Sequence, residues 1–543
     1  MESPNRRIER SIIAFITIGF ATWSIIFIYK SSFIAIDGNR YFCLFDDAMI
    51  SMRYAWNFSH GLGLVWNSGE YIQGYTNLLM TLLMSIATLA FDKSNAVLFM
   101  QVSGAVLMLA IAFVSMRIAG HIVQDAPPQR QIPVRVLSFF CALSYYPLTY
   151  WSIMGMETGL LTLLLLLGVL SAFNYTTSRK SIFLLSVAGY SGLAFLTRND
   201  SIIFAILIWF YIILEIPDIK NNHKSIYQLL GAIGIFFLFV IGQEVFQYQY
   251  YGELVPNTYT LKLTGMPLIN RIQNGIGFIR PFLKEIFLVL VLSSISLVLD
   301  FSKRKLLLLS LMLSAIGYQI YIGGDAWNYW RIMAPCMPLL MILFIDAIFA
   351  FIPSLTSSQA FRGHLLPHTR LSKKYTTWIL VPLFTLIGLL LINTRFLPEI
   401  IFSTEPYQAK ANQRNINTAI ALNQITTSNA TVGVFWAGSI PYFTDRKAID
   451  FLGKSDRYIA HLPPDISGAV AWNGMNSVPG HNKYDLNYSI KTLEPTYVQG
   501  YKWRAQNLSQ WAETRYIKVE FEGVNLFLLK DSPAVLWNKL NTP

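Results

Sequence analysis

Between Ser11 and Ile392 the chain returns repeatedly to apolar runs of about 15 to 20 residues separated by short polar loops. A backbone inside hydrocarbon has to satisfy its own N–H and C=O groups, so runs of this length must be helices. With 54% hydrophobic and only 13% charged residues across 543 positions, a soluble domain of this size is excluded. The sequence predicts a polytopic α-helical membrane protein.

Arg6, Arg7 and Arg10 precede the first run, residues 11–29, which is long enough to span and reads as a retained anchor rather than a cleaved leader. The basic start places the N-terminus in the cytoplasm, so residues 31–75 form the first outer loop. Residues 75–91 read as a partly inserted outer-leaflet helix, because a full span there would turn Arg117, Arg130 and Arg135 outward. Spans are then expected over 96–116, 136–150, 157–173, 182–196, 202–216, 227–245, 286–299, 306–321, 333–351 and 378–392, about ten or eleven in all. The remaining inner loops hold Arg179 and Lys180, Lys220 and Lys224, Lys303-Arg304-Lys305, and Arg362, Arg370, Lys373 and Lys374. Topology thus absorbs the net charge of +12, and membrane lipid rather than nucleic acid is the expected partner.

After residue 393 the composition becomes that of a soluble protein, with alternating runs at 430–436 and 516–521 that predict strands. The expected division is a membrane domain over 1–393 and an outward-facing α/β domain with its own core over 394–543. Cys43, Cys141 and Cys336 lie far apart without CxxC spacing, so no metal centre is expected. A bridge between Cys43 and Cys336, both near the outer face, stays open.

Charge beside a bilayer is costly, so its placement carries information. In this topology Asp46, Asp47, Glu157, Arg198, Asp200, Glu244, Lys262, Asp325 and Arg331 all fall at outer helix ends or in outer loops. They lie at one depth, as in an enzyme cavity opening on the outer leaflet; a transporter would hold its site at mid-membrane on interrupted helices. Asp346, deep in a span, is the exception and has no assigned role. Arg198, Lys262 and Arg331 suit a departing lipid phosphate, whose growing charge strengthens charge-assisted hydrogen bonds. Asp46 or Asp47 suits proton removal from an acceptor hydroxyl and stabilisation of an oxocarbenium-like sugar. Either Asp can also cap a helix to about Ser59, stopped by Gly61 and Gly63, with Met49, Met52 and Trp56 laid along the interface.

Glu157, Asp200 and Asp325 are grouped with the substrate, although Glu157 also suits the positive end of a helix and Arg198 can snorkel to the interface. Trp327, Tyr329 and Trp330 read mainly as an interfacial aromatic belt, with Trp327 kept as a sugar contact. His481, a turn residue in Pro479-Gly480-His481, is the corresponding contact from the tail. Asp37 and Glu70 read as solvated charges.

Phe45-Asp46-Asp47-Ala48 through Arg53-Tyr54-Ala55, residues 61–67 (GLGLVWN) and Gly74-Tyr75-Thr76 resemble the GT-C membrane glycosyltransferases. The likeness continues through Gly155-Met156-Glu157-Thr158, Leu196-Thr197-Arg198, residues 251–258 (YGELVPNT) with Lys262, Gly323-Gly324-Asp325 and residues 479–483 (PGHNK). Within that group it is similar to the mycobacterial terminal arabinofuranosyltransferases and to the arabinosyltransferases of type IV pilins. The resemblance implies a GT-C fold, a polyprenyl-phosphate sugar donor and catalysis by the acids of the first outer loop. Asn199-Asp200 after Arg198 departs from the commoner pattern.

The expected function is transfer of a pentofuranosyl group, arabinofuranose by resemblance, from polyprenyl phosphate to a surface glycan or a secreted protein such as pilin. The bacterial inner membrane, with the site and tail facing the periplasm, is the expected location. A mannosyl- or hexosyltransferase of the same fold, or a lipid-linked-sugar transporter, are the rival readings. No cofactor is expected; paired acids leave room for a divalent ion, without a dedicated ligand set.

Overall fold

The computed structural model of the chain describes residues 4–216, 223–357, 373–467 and 478–540. The expected inner-loop residues Lys220, Arg362 and Arg370 lie outside these. Helix α1 (Pro4–Ser31) leads through a two-stranded ribbon, β1 (Phe33–Ile34) and β2 (Arg40–Tyr41), to α2 (Asp46–Ser59) and α3 (Leu78–Ala90). There follow α4 (Lys93–Ile122), α5 (Pro128–Ser144), α6 (Tyr146–Ile153), α7 (Thr158–Ser178), α8 (Ser181–Thr197), α9 (Ile202–Glu215) and α10 (His223–Tyr251). The bundle closes with α11 (Asn257–Leu263), α12 (Leu268–Leu299), α13 (Lys303–Tyr321), α14 (Met337–Ser357) and a last long helix, Lys373–Asn393.

Among the described residues seven helices are long and apolar enough to cross a membrane, or eight if α5 and α6, bent by 56°, count as one span. The expected single span 136–150 is thus broken at Tyr145, where Pro147 in the first turn of α6 has no N–H for the Leu143 carbonyl and its ring would clash there in a continuous helix. Helices α3 and α8 are shorter apolar helices: the first lies within 75–91, read as a segment that does not cross, and the second covers 182–196, where a full span is expected.

The basic loops gather at one end of the bundle. Arg179 donates to the Glu215 carbonyl at 2.7 Å, Lys303 to that of Leu214 at 2.8 Å and Arg304 to that of His121 at 3.0 Å. Asp346, without a role from sequence, is buried at this end between Arg130 (2.6 Å) and Lys305 (2.9 Å). A buried carboxylate needs such partners.

Beyond the last span a five-stranded sheet forms in the order β4-β3-β5-β9-β8, from β3 (Thr431–Val434), β4 (Lys447–Asp450), β5 (Tyr497–Val498), β8 (Tyr516–Phe521) and β9 (Val524–Leu529). A small ribbon of β6 (Lys502–Trp503) and β7 (Gln506–Asn507) sits between β5 and β8 in the chain. Part of its core is its own, around Phe451, Leu486, Ile490, Val498 and Ala512. The rest is shared: Ile50, Tyr54, Leu64, Trp66, Tyr75 and Tyr251 pack with Leu422, Val432, Val434, Leu526 and Leu528. The sheet is therefore fused to the first loop through common apolar contacts.

This packing changes the reading of α2, which does not lie along the interface. Met49 and Met52 are buried in the bundle, and Ser51, Arg53 and Asn57 on other faces are buried as well. Arg53 donates to the carbonyls of Trp66, Pro441 and Arg446 and pairs with Asp445 at 2.9 Å. The polar side of α2 is covered by the sheet rather than by water.

Candidate active site

Phe45 occupies the N-cap of α2, with no side-chain capping bond, and both aspartates lie in the first turn. Their charge complements the positive helix end without the cap predicted from sequence. The pair then separates by function. Asp46 turns to the sheet side, accepting backbone N–H from Gly438 (3.3 Å) and Ser439 (3.2 Å) at the start of helix Ser439–Thr444. Burial pushes its carboxyl up to about 6, with the Lys454 charge opposing and that of Asp47 adding. Asp47 turns the other way, into a cleft.

The cleft has a cavity volume of about 180 Å³ and carries Asp47, Glu157, Asp200 and Asp325 together with Arg198, Lys262, Arg331 and Lys454. Four carboxylates thus accompany four cations. Asp47 is paired by Lys454 on one oxygen and by Arg331 at 3.3 Å on the other. Burial alone would raise its carboxyl, but these two cations outweigh burial and hold it well below the usual carboxylate range. Arg331 reaches Asp325 through Nε at 3.2 Å and Nη2 at 2.9 Å.

On the opposite wall Arg198 pairs with Glu157 at 2.8 Å and Asp200 at 2.5 Å, so it is locked in place and does not snorkel. Glu157 also accepts from Asn77 at 3.3 Å, and Asn77 accepts from Ser51 of α2 at 3.0 Å. A continuous polar chain therefore links α2 to the α8–α9 turn. Lys262, at the end of α11, has no ion pair within 4.0 Å among the described residues and lines the cleft. Burial, with repulsion from Arg331, lowers its ammonium to about 8.

Most of the residues singled out from sequence converge here: Asp47, Glu157, Arg198, Asp200, Lys262, Asp325 and Arg331 all line the cleft. Asp46 does not, and Glu244 stays on α10 away from it. Trp327 and His481 sit just behind, their rings 6.1 Å apart. The expected aromatic belt is absent: Trp327, Tyr329 and Trp330 are buried. Trp327 packs against Phe45 (5.0 Å) and Trp436 (5.8 Å), which fastens the loop after α13 to both α2 and the sheet. His481 is half-buried, and desolvation with the nearby Lys454 charge lowers its imidazole to about 4. Glu70 is not free in solvent but pairs with Lys447 at 2.7 Å, whereas Asp37 is exposed as expected. All three cysteines are buried and unbridged, which removes the Cys43–Cys336 option.

Sequence reasoning missed Lys454, in the Gly453-Lys454-Ser455 segment just after β4. Its one signal was a lysine between small residues at the end of an alternating apolar run. Tyr318, hydrogen-bonded to Asp200, and Thr258, buried without a hydroxyl partner, were missed because each reads as ordinary helix composition.

Solved structures show the same architecture. ArnT from Cupriavidus metallidurans bound to undecaprenyl phosphate superposes with a TM-score of 0.56 over 95% of this chain and 98% of its own, at 10% identity. The fold is that of the GT-C glycosyltransferases. The apo form of ArnT gives 0.57 over 97% of this chain and 98% of its own, at 10% identity. The archaeal oligosaccharyltransferase AglB from Archaeoglobus fulgidus, in complex with an inhibitory peptide and a dolichol-phosphate, gives 0.50 over 98% of this chain and 75% of its own, at 11% identity. At such identities the likeness is one of fold. A domain of unknown function (DUF8728) matches residues 403–532, and no curated protein matches the chain by sequence. With seven membrane-length apolar helices among the described residues, on a GT-C fold, the chain is a multi-pass membrane protein.

Proposed function

We propose that this protein is a glycosyltransferase that moves a sugar from a polyprenyl phosphate to an acceptor entering from the side of the C-terminal sheet. The observation that carries the reading is Asp47 at the first turn of α2, set among Lys262, Arg331 and Lys454 in one cleft. A lipid phosphodiester departs with extra negative charge, which these cations can stabilise. The acid at the same spot can take the acceptor proton. ArnT was solved with undecaprenyl phosphate and AglB with a dolichol-phosphate, so a polyisoprenyl phosphate suits this architecture.

Lys262, which has no ion pair among the described residues, is the phosphate ligand in this reading, and Arg331, held by Asp325 and Asp47, adds its charge beside it. Glu157, Arg198 and Asp200 form the wall that orients the sugar, whose hydroxyls can satisfy the unpartnered Thr258 side chain. Trp327 and His481, between bundle and sheet, border the acceptor path. Asp46 fastens α2 to the sheet. The gathering of charge at one end of the bundle, away from mid-membrane, favours an enzyme over an exporter.

We assign the donor sugar as a pentofuranose, arabinofuranose by the sequence resemblance, and the acceptor as a surface glycan or a secreted protein such as type IV pilin. The basic end of the bundle faces the cytoplasm of a bacterial inner membrane, with the cleft and residues 394–543 in the periplasm. Purified protein is incubated with synthetic polyprenyl-phosphoryl arabinose, or the mannose equivalent, and candidate acceptors. Mass analysis showing an added pentose supports the assignment, an added hexose replaces the donor sugar, and no transfer from either donor rejects the reading.

A further inference from the structure

Lys454 is delivered by a segment braced from two sides. The buried Asp450 carboxylate accepts N–H from Leu452 (3.0 Å), Gly453 (3.2 Å) and Ser455 (2.8 Å). From the opposite side Asn257, just ahead of Lys262 in the chain, donates to the carbonyls of Gly453 (2.9 Å), Lys454 (3.0 Å) and Asp456 (3.2 Å). Gly453 adopts a left-handed φ of +77°, and a Cβ there would stand 2.5 Å from Ile459. A buried acid, a buried amide and an obligate glycine thus fix the base from which one lysine projects toward Asp47.

The guanidinium groups in the cleft are already spent: Arg198 is forked between Glu157 and Asp200, and Arg331 between Asp325 and Asp47. Lys454 has three donors and pairs with Asp47 alone among the described residues. A flexible ammonium can change partners without moving its backbone, whereas Asp47 would still be held by Arg331.

We propose that Lys454 exchanges partners during the reaction, leaving Asp47 for the donor phosphate when the donor enters; this rests on the polyprenyl-phosphate reading above. Two cations neutralise Asp47, which makes it a poor base. With the donor bound, Lys262 and Lys454 face the phosphodiester, and Asp47 keeps only Arg331. The acceptor hydroxyl then attacks the anomeric carbon while its proton passes to Asp47. The new bond joins acceptor oxygen to carbon, and the old carbon–oxygen bond breaks with its electron pair on the phosphate. Polyprenyl phosphate leaves with one more negative charge, which the two lysines meet.

The experiment titrates undecaprenyl phosphate into the full-length protein in lipid nanodiscs, reading tryptophan fluorescence, with thermal melting as the control for folding. Lys454→Met should bind at least tenfold more weakly than wild type. Asp47→Asn, which frees Lys454, should bind several-fold more tightly, and that gain should vanish in the double variant. Folded Lys454→Met binding as wild type does, or Asp47→Asn showing no gain, would overturn the exchange. If Lys454→Met does not fold, the Asp47→Asn arm decides. Wild-type protein that fails to bind undecaprenyl phosphate instead rejects the donor reading itself.

Discussion

Asp47 and Lys454 stand 407 residues apart in the chain and share one ion pair, with Arg331 closing on the other carboxylate oxygen. The acid in the first turn of α2 is therefore held by a residue from the far end of the protein.

Neighbouring aspartates should behave as opposites. Asp47→Asn should lower transfer by about 100-fold or more, the usual scale for a lost general base. Asp46→Asn keeps an oxygen for only one of the Gly438 and Ser439 amides, which bond to different carboxylate oxygens, so it should cost some stability yet retain most activity. Initial rates on the two purified variants decide; equal losses would place both acids in the chemistry.

Stability should also report Asp46. Burial raises its carboxyl to about 6, so the folded state binds its proton more tightly than the unfolded chain does. That contribution is complete below the ordinary carboxylate range of about 4 and disappears as pH rises through about 6. Asp46→Asn has no proton to lose, so its melting temperature relative to wild type should increase between about pH 4 and about pH 8.

Lys262 sets an expected alkaline limit. Its ammonium, lowered to about 8 by burial and by Arg331, is charged below that value and neutral above it. The KM for donor should therefore rise as pH passes about 8, and Lys262→Arg, which stays charged, should flatten the rise. Donor titrations of both proteins at several pH values test this.

Arg198 neutralises two carboxylates that are nearly inaccessible to water. Its replacement by Ala should destabilise the protein by about 3–5 kcal/mol, the scale for an orphaned buried charge. Adding Glu157→Gln should recover part of the loss, as measured by thermal melting in detergent.

Gly438 lies where sheet and bundle meet. A Cβ there would stand 2.1 Å from the Asp46 carbonyl oxygen and 2.8 Å from its carboxylate. Gly438→Ala should force the two apart and lower transfer at least tenfold, while the spans keep their helicity by circular dichroism.

The membrane helices were legible because bilayer thickness and apolarity fix both length and composition. The cleft acids and bases were legible for a related reason: charge beside hydrocarbon is confined to few places, so Glu157, Arg198, Asp325 and Arg331 stood out. Lys454 did not, since a lysine in a soluble segment is unremarkable until folding brings it against Asp47. The role of α2 was misread because its mixed faces match an interfacial helix. Arg53 and Asn57 are polar yet buried: Asn57 is satisfied by carbonyls of the same loop, but Arg53 is satisfied by those of Pro441 and Arg446, a relationship no local pattern carries.

Because α2 is walled on one side by the bundle and on the other by a segment made near the end of synthesis, the cleft around Asp47 cannot be complete while the ribosome is still adding spans. Asp47 in a half-made chain lacks its lysine counterpart, so the proposed chemistry would have to wait until translation has passed the last membrane crossing and the tail has packed on the first loop.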